Sequence, residues 1–450
     1  MLQFLRHAYD SLWGPPMVVL MVGIGLYLTL LAGFPQLTLL PRAFSGLRKR
    51  RDGGGVTSFQ ALCTALAATV GTGNIVGVTG AICLGGPGAV FWMWLCGLVG
   101  MATKFAEVTL AKRYAVRMDG ETAGGPMYMI TRGLPPKLHF LAAVYCAFGV
   151  VAAFGVGNAT QVNAVVAAFN GLLETVGRRE TVLGNLAIGV LMALAVGAVL
   201  FGGVQRIGAA AERLVPAASV GYLLLCAVVL VRCRGRLPAV AASIFEGAFH
   251  PRAVTGGVIG SAFVSLRTGC ARGIFTNEAG MGTASMAYAA AEAAHPVELG
   301  MLGLIEVFAD TLVICSLTAF AVLASGLPIP YGIDQGACLS AQVFRTVCGD
   351  WAAAALTVFL AVFAFATVLG WGLYGARCGQ FLFGPGFWKR FVWMQMAGVI
   401  LGAVLRTETL WLLAEIVNGL MAFPDLIALA ALSPELRRLV LEYRKRSVSL

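Results

Sequence analysis

The sequence predicts an all-α polytopic membrane protein. Three observations carry that expectation. The chain has 450 residues, of which 59% are hydrophobic and 12% charged, about half the charged share of a soluble domain. The apolar stretches run to about 20 residues, the length a helix needs to cross a bilayer core, and they do not alternate as barrel strands must. Glycine is abundant at 57 residues, as expected where helices approach closely in lipid.

Eleven spans are expected, at roughly 15–35, 57–83, 87–114, 138–169, 182–201, 211–231, 255–291, 297–325, 352–383, 391–405 and 410–432. The first run, Pro15 to Phe34, is long enough to span. It lacks a small-residue cleavage site, so it reads as a helix rather than a signal peptide. The connections carry the charge. Arg42, Arg48, Lys49, Arg50 and Arg51 follow the first span, and Lys112, Arg113, Arg117, Arg132 and Lys137 follow the third. Arg206 and Arg213 follow the fifth, Arg377, Lys389 and Arg390 the ninth, and Arg437, Arg438, Arg444, Lys445 and Arg446 form the tail.

With eleven spans these groups share one side, which then holds 20 of the 32 Lys and Arg. The positive-inside rule puts that side in the cytoplasm and the N-terminus outside. Arg232, Arg234 and Arg236 violate the pattern locally. The net charge of +11 is therefore a topology signal and a contact for lipid headgroups, with no need for nucleic acid. Eleven cysteines are scattered without a C-x-x-C pair and mostly lie in apolar runs, as small buried hydrophobes do. Cys338 and Cys348 share one connection and can pair if it faces an oxidising side. That connection, 326–350, is the longest irregular stretch and is expected to act as an outer lid.

The second span is interrupted by Thr69-Val70-Gly71-Thr72-Gly73-Asn74-Ile75. Backbone freed by such a break has no partner in lipid, so it is tolerated only where it lines a polar cavity. A half-helix N-terminus attracts an anion and loose carbonyls attract a cation. Taken alone, the stretch fits either a site for a small zwitterionic solute with a metal cation or a glycine-rich packing face. The seventh span is interrupted in the same manner by Arg272-Gly273-Ile274-Phe275-Thr276-Asn277-Glu278-Ala279-Gly280-Met281-Gly282, five spans later. Two broken helices at corresponding positions of two five-span halves point to an inverted-repeat transporter. The first half is about 57–231 and the second about 255–432. Residues 1–56 form an extra helix and basic loop ahead of a 57–434 core, and 435–450 a basic cytoplasmic tail.

Beyond the breaks, further motifs carry a family resemblance. Thr64 through Ile75 (T-A-L-A-A-T-V-G-T-G-N-I), Gly85 through Trp94 (G-G-P-G-A-V-F-W-M-W), Lys104-Phe105-Ala106-Glu107 and Gly124-Gly125-Pro126-Met127-Tyr128 resemble the alanine/glycine:cation symporter family. Arg272 through Gly280, Leu369-Gly370-Trp371 and Asn418-Gly419-Leu420-Met421-Ala422 do so too. The resemblance runs from about Phe59 to Pro434. It implies a leucine-transporter-type fold of ten core helices in two inverted halves, here preceded by one extra helix. It also implies uptake of alanine or glycine driven by sodium, or in some members by protons, in a prokaryotic cytoplasmic (inner) membrane.

The resemblance also implies roles. Val70-Gly71-Thr72-Gly73-Asn74 is similar to the V-G-x-G-N run whose amides hold the substrate carboxylate in that fold, which assigns the amides of Thr72 and Gly73. Glycine lets the ligand approach the backbone closely. Asn74 offers a carbonyl to a cation or an amide to the carboxylate. Gln161 matches a family glutamine that resembles a substrate contact; a mid-span Gln also joins helices by hydrogen bonds. Freed carbonyls from Gly273 to Thr276 suit the ammonium. Phe275 and Trp371 suit a roof over the pocket, or plain packing. Sodium wants several hard oxygens. One expected site uses the Thr69 carbonyl, Asn74, Thr276 and Asp310. A second uses the carbonyls of Ala67 and Val70 with the Thr367 hydroxyl, which can instead bond back to its own helix.

Acids in a membrane span are functional candidates. Glu306 and Asp310, four apart, share a helix face and suit a cation ligand or a proton carrier. Glu107 is expected to pair with Lys104, and Glu278 with Arg272 or Arg267. Asp425 stands where the family usually shows Asn, which adds a charge near the last core helix. No G-x-x-x-x-G-K-[ST], H-E-x-x-H or G-x-S-x-G motif is present, and His7, His139, His250 and His295 are isolated. Those absences argue against an enzyme or an ATP-driven pump on this chain.

Overall fold

The computed structural model describes residues 2–46, 56–118, 121–175, 177, 180–405 and 408–448. The basic run Arg48–Arg51, with Arg178, Arg179 and Arg406, lies outside them. Helix α1 (Leu2–Leu12) and α2 (Pro15–Leu31) precede the first broken helix, made of α3 (Ser58–Thr69) and α4 (Val76–Gly85). Helix α5 (Gly88–Arg113) leads into a small hairpin, β1 (Val116–Met118) with β2 (Glu121–Ala123). Helix α6 (Phe140–Phe154) passes through a π-helical stretch, Gly155–Ala159, into α7 (Thr160–Thr175). Next come α8 (Val182–Leu200), α9 (Gly203–Arg232), α10 (Leu237–Phe249), α11 (Ala262–Asn277) and the short α12 (Ser285–Ala289). Helix α13 (Pro296–Val307) continues through a second π-helical stretch, Phe308–Cys315, into α14 (Ser316–Ala324). The chain ends with α15 (Gly336–Cys348), α16 (Asp350–Phe383), α17 (Phe387–Val404), α18 (Glu408–Ala431) and α19 (Ser433–Val448).

Among the described residues, six helices are long and apolar enough to cross a membrane, or eight if two bent pairs each count once. The other three expected spans fall on α2, α11 and α17, which are only 17, 16 and 18 residues long. Leu183, Leu191 and Leu194 on α8, and Leu224 and Val231 on α9, are exposed. Such leucine-rich outer faces are stable against hydrocarbon rather than water.

Helix α5 is the spine, packed by α2, α10, α11 and α13. The close approach needs glycine: a Cβ at Gly269 of α11 would lie 2.2 Å from the Ala89 carbonyl oxygen. Helix α16 crosses α3 by the same device, since a Cβ at Gly370 would lie 2.8 Å from the Ala68 Cβ. Thr367 lies one turn before Gly370 on that helix, so the packing brings it toward the first break. Helix α3 begins with a reciprocal cap, in which Gln60 N–H donates to Thr57 Oγ1 and Thr57 N–H to Gln60 Oε1, each at 3.1 Å.

The 326–350 connection departs from expectation. Its second half is helix α15, packed on α4 and α16. Cys338 and Cys348 therefore sit ten residues apart on one helix, about 15 Å at 1.5 Å per residue, beyond a disulfide's Cα reach of about 7 Å. Both are free thiols.

Candidate functional site

Helix α3 stops at Thr69, the backbone extends through Val70 and Gly71, one 3-10 turn covers Thr72–Asn74, and α4 leaves at 61° to α3. Asn74 holds the turn. Its Oδ1 accepts from Gly71 N–H at 2.9 Å, and its Nδ2 donates to Asp310 Oδ1 at 2.6 Å and to Cys315 Sγ at 3.3 Å. Because Gly71 N–H turns to Asn74, the Ala67 carbonyl loses its in-helix donor. Asn74 Oδ1 keeps a second lone pair for a cation.

Thr72 Oγ1 donates to Gln161 Oε1 at 2.9 Å, and the Thr72 amide points at the same oxygen from 3.5 Å. The Gln161 carbonyl thus takes both donors that Thr72 presents at the break. Gly73 faces α11, where a Cβ would stand 3.5 Å from Thr276 Cγ2 and 3.6 Å from the Phe275 ring. Gly71 faces α16, where a Cβ would meet Thr367 Oγ1 at 2.8 Å. The Thr367 hydroxyl is buried and has no hydrogen-bond partner. It does not bond back to its own helix, and its lone pairs are available beside the carbonyls released at the end of α3.

The second break lies farther along than expected. Helix α11 continues through Asn277, so the Gly273 carbonyl is inside it and accepts from Thr276 Oγ1 at 2.9 Å. The Ile274 carbonyl takes Glu278 N–H at 2.8 Å, which leaves the carbonyls of Phe275, Thr276 and Asn277 at the open helix end. The chain then turns through Glu278 at φ 52°, Gly280 at 93° and Gly282 at 68°, left-handed values that favour glycine.

Glu278 does not pair with Arg272 or Arg267 as expected. Its Oε1 accepts from Trp371 Nε1 at 2.9 Å and its Oε2 from Thr283 Oγ1 at 2.5 Å. Arg272 instead binds Glu415 at 3.0 Å, with Asp334 at 3.7 Å, and lies 6.0 Å from the Phe275 ring. Trp371 packs its Cβ onto Gly157, where a Cβ would be 2.1 Å away, so its polar edge ties α16 to the second break.

Glu306 and Asp310 serve different partners, because the π-helical stretch begins between them. Glu306 Oε1 faces Lys104 Nζ at 3.7 Å, and Glu107 Oε2 lies at the same distance as expected. Asp310 Oδ2 accepts from Thr311 Oγ1 at 2.9 Å, and Asn277 Nδ2 donates to Thr311 Oγ1 at 3.2 Å. A hydrogen-bonded chain Asn74–Asp310–Thr311–Asn277 therefore joins the two breaks. Sequence reasoning missed Thr311, Asn277 and Cys315; the polar run of the second break was the available signal for Asn277, and Thr311 and Cys315, in the π-helical stretch of the next span, had none.

The expected residues thus fall in two groups. Ala67, Thr69, Val70, Thr72, Gly73, Asn74, Gln161, Phe275, Thr276, Asp310 and Thr367 gather around the first break, while Gly273 and Trp371 are held by other contacts. The profile of the sodium:alanine symporter family matches residues 1–449. The chain belongs to that family. It is 39% identical to the sodium/alanine symporter AgcS of Methanococcus maripaludis over 94% of this chain and 92% of the relative. It is 34% identical to YrbD of Bacillus subtilis, provisionally named a sodium/proton-dependent alanine carrier protein, over 96% of this chain and 90% of the relative. The fold matches a crystal structure of MhsT in complex with L-phenylalanine with a TM-score of 0.59 at 14% identity, covering 88% of this chain and 99% of that one. This family member is a multi-pass transporter of the leucine-transporter type rather than an enzyme, and amino-acid symport is the family's activity.

Proposed function

We propose that this chain imports a small neutral amino acid, alanine or glycine, together with sodium by alternating access. The first break carries the reading. Its Thr72 amide and hydroxyl converge on one carbonyl oxygen, as they would on a carboxylate. Its released carbonyls lie beside the unpartnered Thr367 hydroxyl. The carboxylate goes to Thr72 and Gly73, with Gln161 moving aside or sharing the ligand. The ammonium goes to the open end of α11, now Phe275–Asn277 rather than Gly273–Thr276.

One sodium uses the Thr69 carbonyl, Asn74, Thr276 and Asp310. A second uses the Ala67 and Val70 carbonyls with Thr367. Helices 57–231 and 255–432 act as the two inverted halves, with the N-terminus outside and the basic tail in the cytoplasm of a prokaryotic inner membrane.

A second reading couples transport to protons through Asp310 or Glu306. It is favoured by the burial of both acids and by the dual sodium/proton name of YrbD. Uptake of labelled alanine and glycine into proteoliposomes separates the readings. An inward sodium gradient at equal pH drives uptake on the first, and a proton gradient without sodium drives it on the second. Uptake under neither gradient overturns both.

A further inference from the structure

The wide turn between α6 and α7 sets where Gln161 points. Thr160 N–H donates to the Gly155 carbonyl, five residues back, where an α-helix would reach back four. The extra residue rotates the side chains that follow by about 100° from their places in a continuous α-helix, one residue's share of the turn. With α6 fixed, a plain α-helix would bring Thr160 to the face that Gln161 now occupies. Gln161 would then turn away from Thr72, whose hydroxyl it meets at 2.9 Å. Its reach to the first break therefore depends on the wide turn.

Two neighbouring helices hold that turn. On one side α16 fills the space beside Gly157, where a Cβ would lie 2.1 Å from Trp371 Cβ. On the other side α17 comes close through Gly398 and Gly402. A Cβ at Gly402 would lie 2.6 Å from the Ala159 Cα, and one at Gly398 would lie 2.6 Å from Asn158 Nδ2. In the room left by Gly398, Asn158 Nδ2 donates to the Gln395 carbonyl at 2.8 Å. That carbonyl is inside α17, and a carbonyl has a second lone pair for such a donor. Asn158 is fully buried, and its Oδ1 receives no hydrogen bond among the described residues. The side chain is thus held from its donor end. Letting go would strand a buried amide among apolar helices, which costs more than the bond itself contributes.

We propose that Asn158 is a positioning residue for amino-acid binding: its bond to α17 fixes the wide turn, and the turn aims Gln161 at the substrate held by the first break. The same turn touches the second break, because Trp371, packed on Gly157, donates to Glu278 Oε1 at 2.9 Å. Gln161 as a contact for the amino acid rests on the symport reading; the aim of the turn does not.

The test is calorimetric titration of alanine, at saturating sodium, into the purified full chain as wild type, Asn158→Ala, Gln161→Leu and the double variant. Asn158→Ala should weaken alanine binding about tenfold, the worth of one hydrogen bond. With Gln161→Leu already present it should change binding by less than about twofold, because an effect carried through Gln161 cannot add to its loss. Additive losses, or wild-type alanine affinity in Asn158→Ala, overturn the proposal. A cryo-electron microscopy map of ligand-free Asn158→Ala, with a bound antibody fragment, reads the geometry without substrate. Gln161 is expected to have turned from Thr72; Gln161 still against Thr72 overturns the positioning. If the wild type binds no alanine, the proposed substrate falls and the map still decides the aim of the turn. Gly398→Ala, which crowds the Asn158 amide off α17, supplies the same two readouts should Asn158→Ala fail to fold.

Discussion

Gly71→Ala tests how closely α16 seals the first break. The backbone at Gly71, φ −137° and ψ −159°, is extended and open to alanine. The main cost is therefore steric. The new Cβ would stand 2.8 Å from Thr367 Oγ1 and 3.4 Å from Gln161 Oε1. Thr367 is β-branched and stiff, and α16 is backed by Leu200 against Gly372 and by Phe391 against Gly375, so α16 cannot easily retreat. Overpacking of this kind costs about 1–3 kcal/mol, while the entropy lost by the unfolded chain returns about 0.4–1 kcal/mol. The net loss of about 1–2 kcal/mol falls on the folded protein and is read as a lowered thermal midpoint of Gly71→Ala.

Thr367→Ala alone should barely lower the thermal midpoint, because its hydroxyl has no bond to lose, yet it should weaken sodium binding. The double variant should recover much of the stability lost in Gly71→Ala without recovering sodium affinity. The assays are thermal unfolding and calorimetric titration in detergent. Wild-type sodium affinity in Thr367→Ala, together with no thermal penalty in Gly71→Ala, would refute the placement of α16 over the break.

Two further predictions concern neighbouring contacts. Thr72→Val keeps the shape but removes the hydroxyl that donates to Gln161 Oε1; it should raise the alanine dissociation constant about tenfold, from a lost bond of about 1–1.5 kcal/mol, with the thermal midpoint nearly kept, as calorimetry will show. Arg272→Ala leaves the buried Glu415 without its 3.0 Å partner; the thermal midpoint should drop, and Arg272→Ala with Glu415→Ala should be less destabilised than the two single losses added.

The first break was legible because Thr72 and Asn74 are polar and Gly71 and Gly73 bare in an otherwise apolar span. The second was legible as an interruption but not in position. Its polar run begins at Arg272, whereas the helix persists until Glu278, and the left-handed turns fall on Gly280 and Gly282. Long-range partners were out of reach of the sequence. Glu278 binds Trp371 from 93 residues away, and nothing in the local spacing distinguishes that from an ion pair with Arg272. The two π-helical stretches had no sequence signature, so Glu306 and Asp310 were expected on one face when the wider turn sends them to Lys104 and Asn74. The Lys104–Glu107 pair was readable because three residues along a helix suffice to bring them together. The helical 326–350 connection was obscured by its glycines and mixed polarity.

The central claim is that one break binds the amino acid and the cation together. It is tested most directly by titrating alanine into the purified protein with and without sodium, and sodium with and without alanine, for the wild type and Asn74→Ala. Linkage requires each ligand to tighten the other by the same factor. The account predicts a matching factor in the wild type and its loss in Asn74→Ala, which removes the bonds to Gly71 and Asp310. Alanine affinity that is indifferent to sodium in the wild type would contradict it.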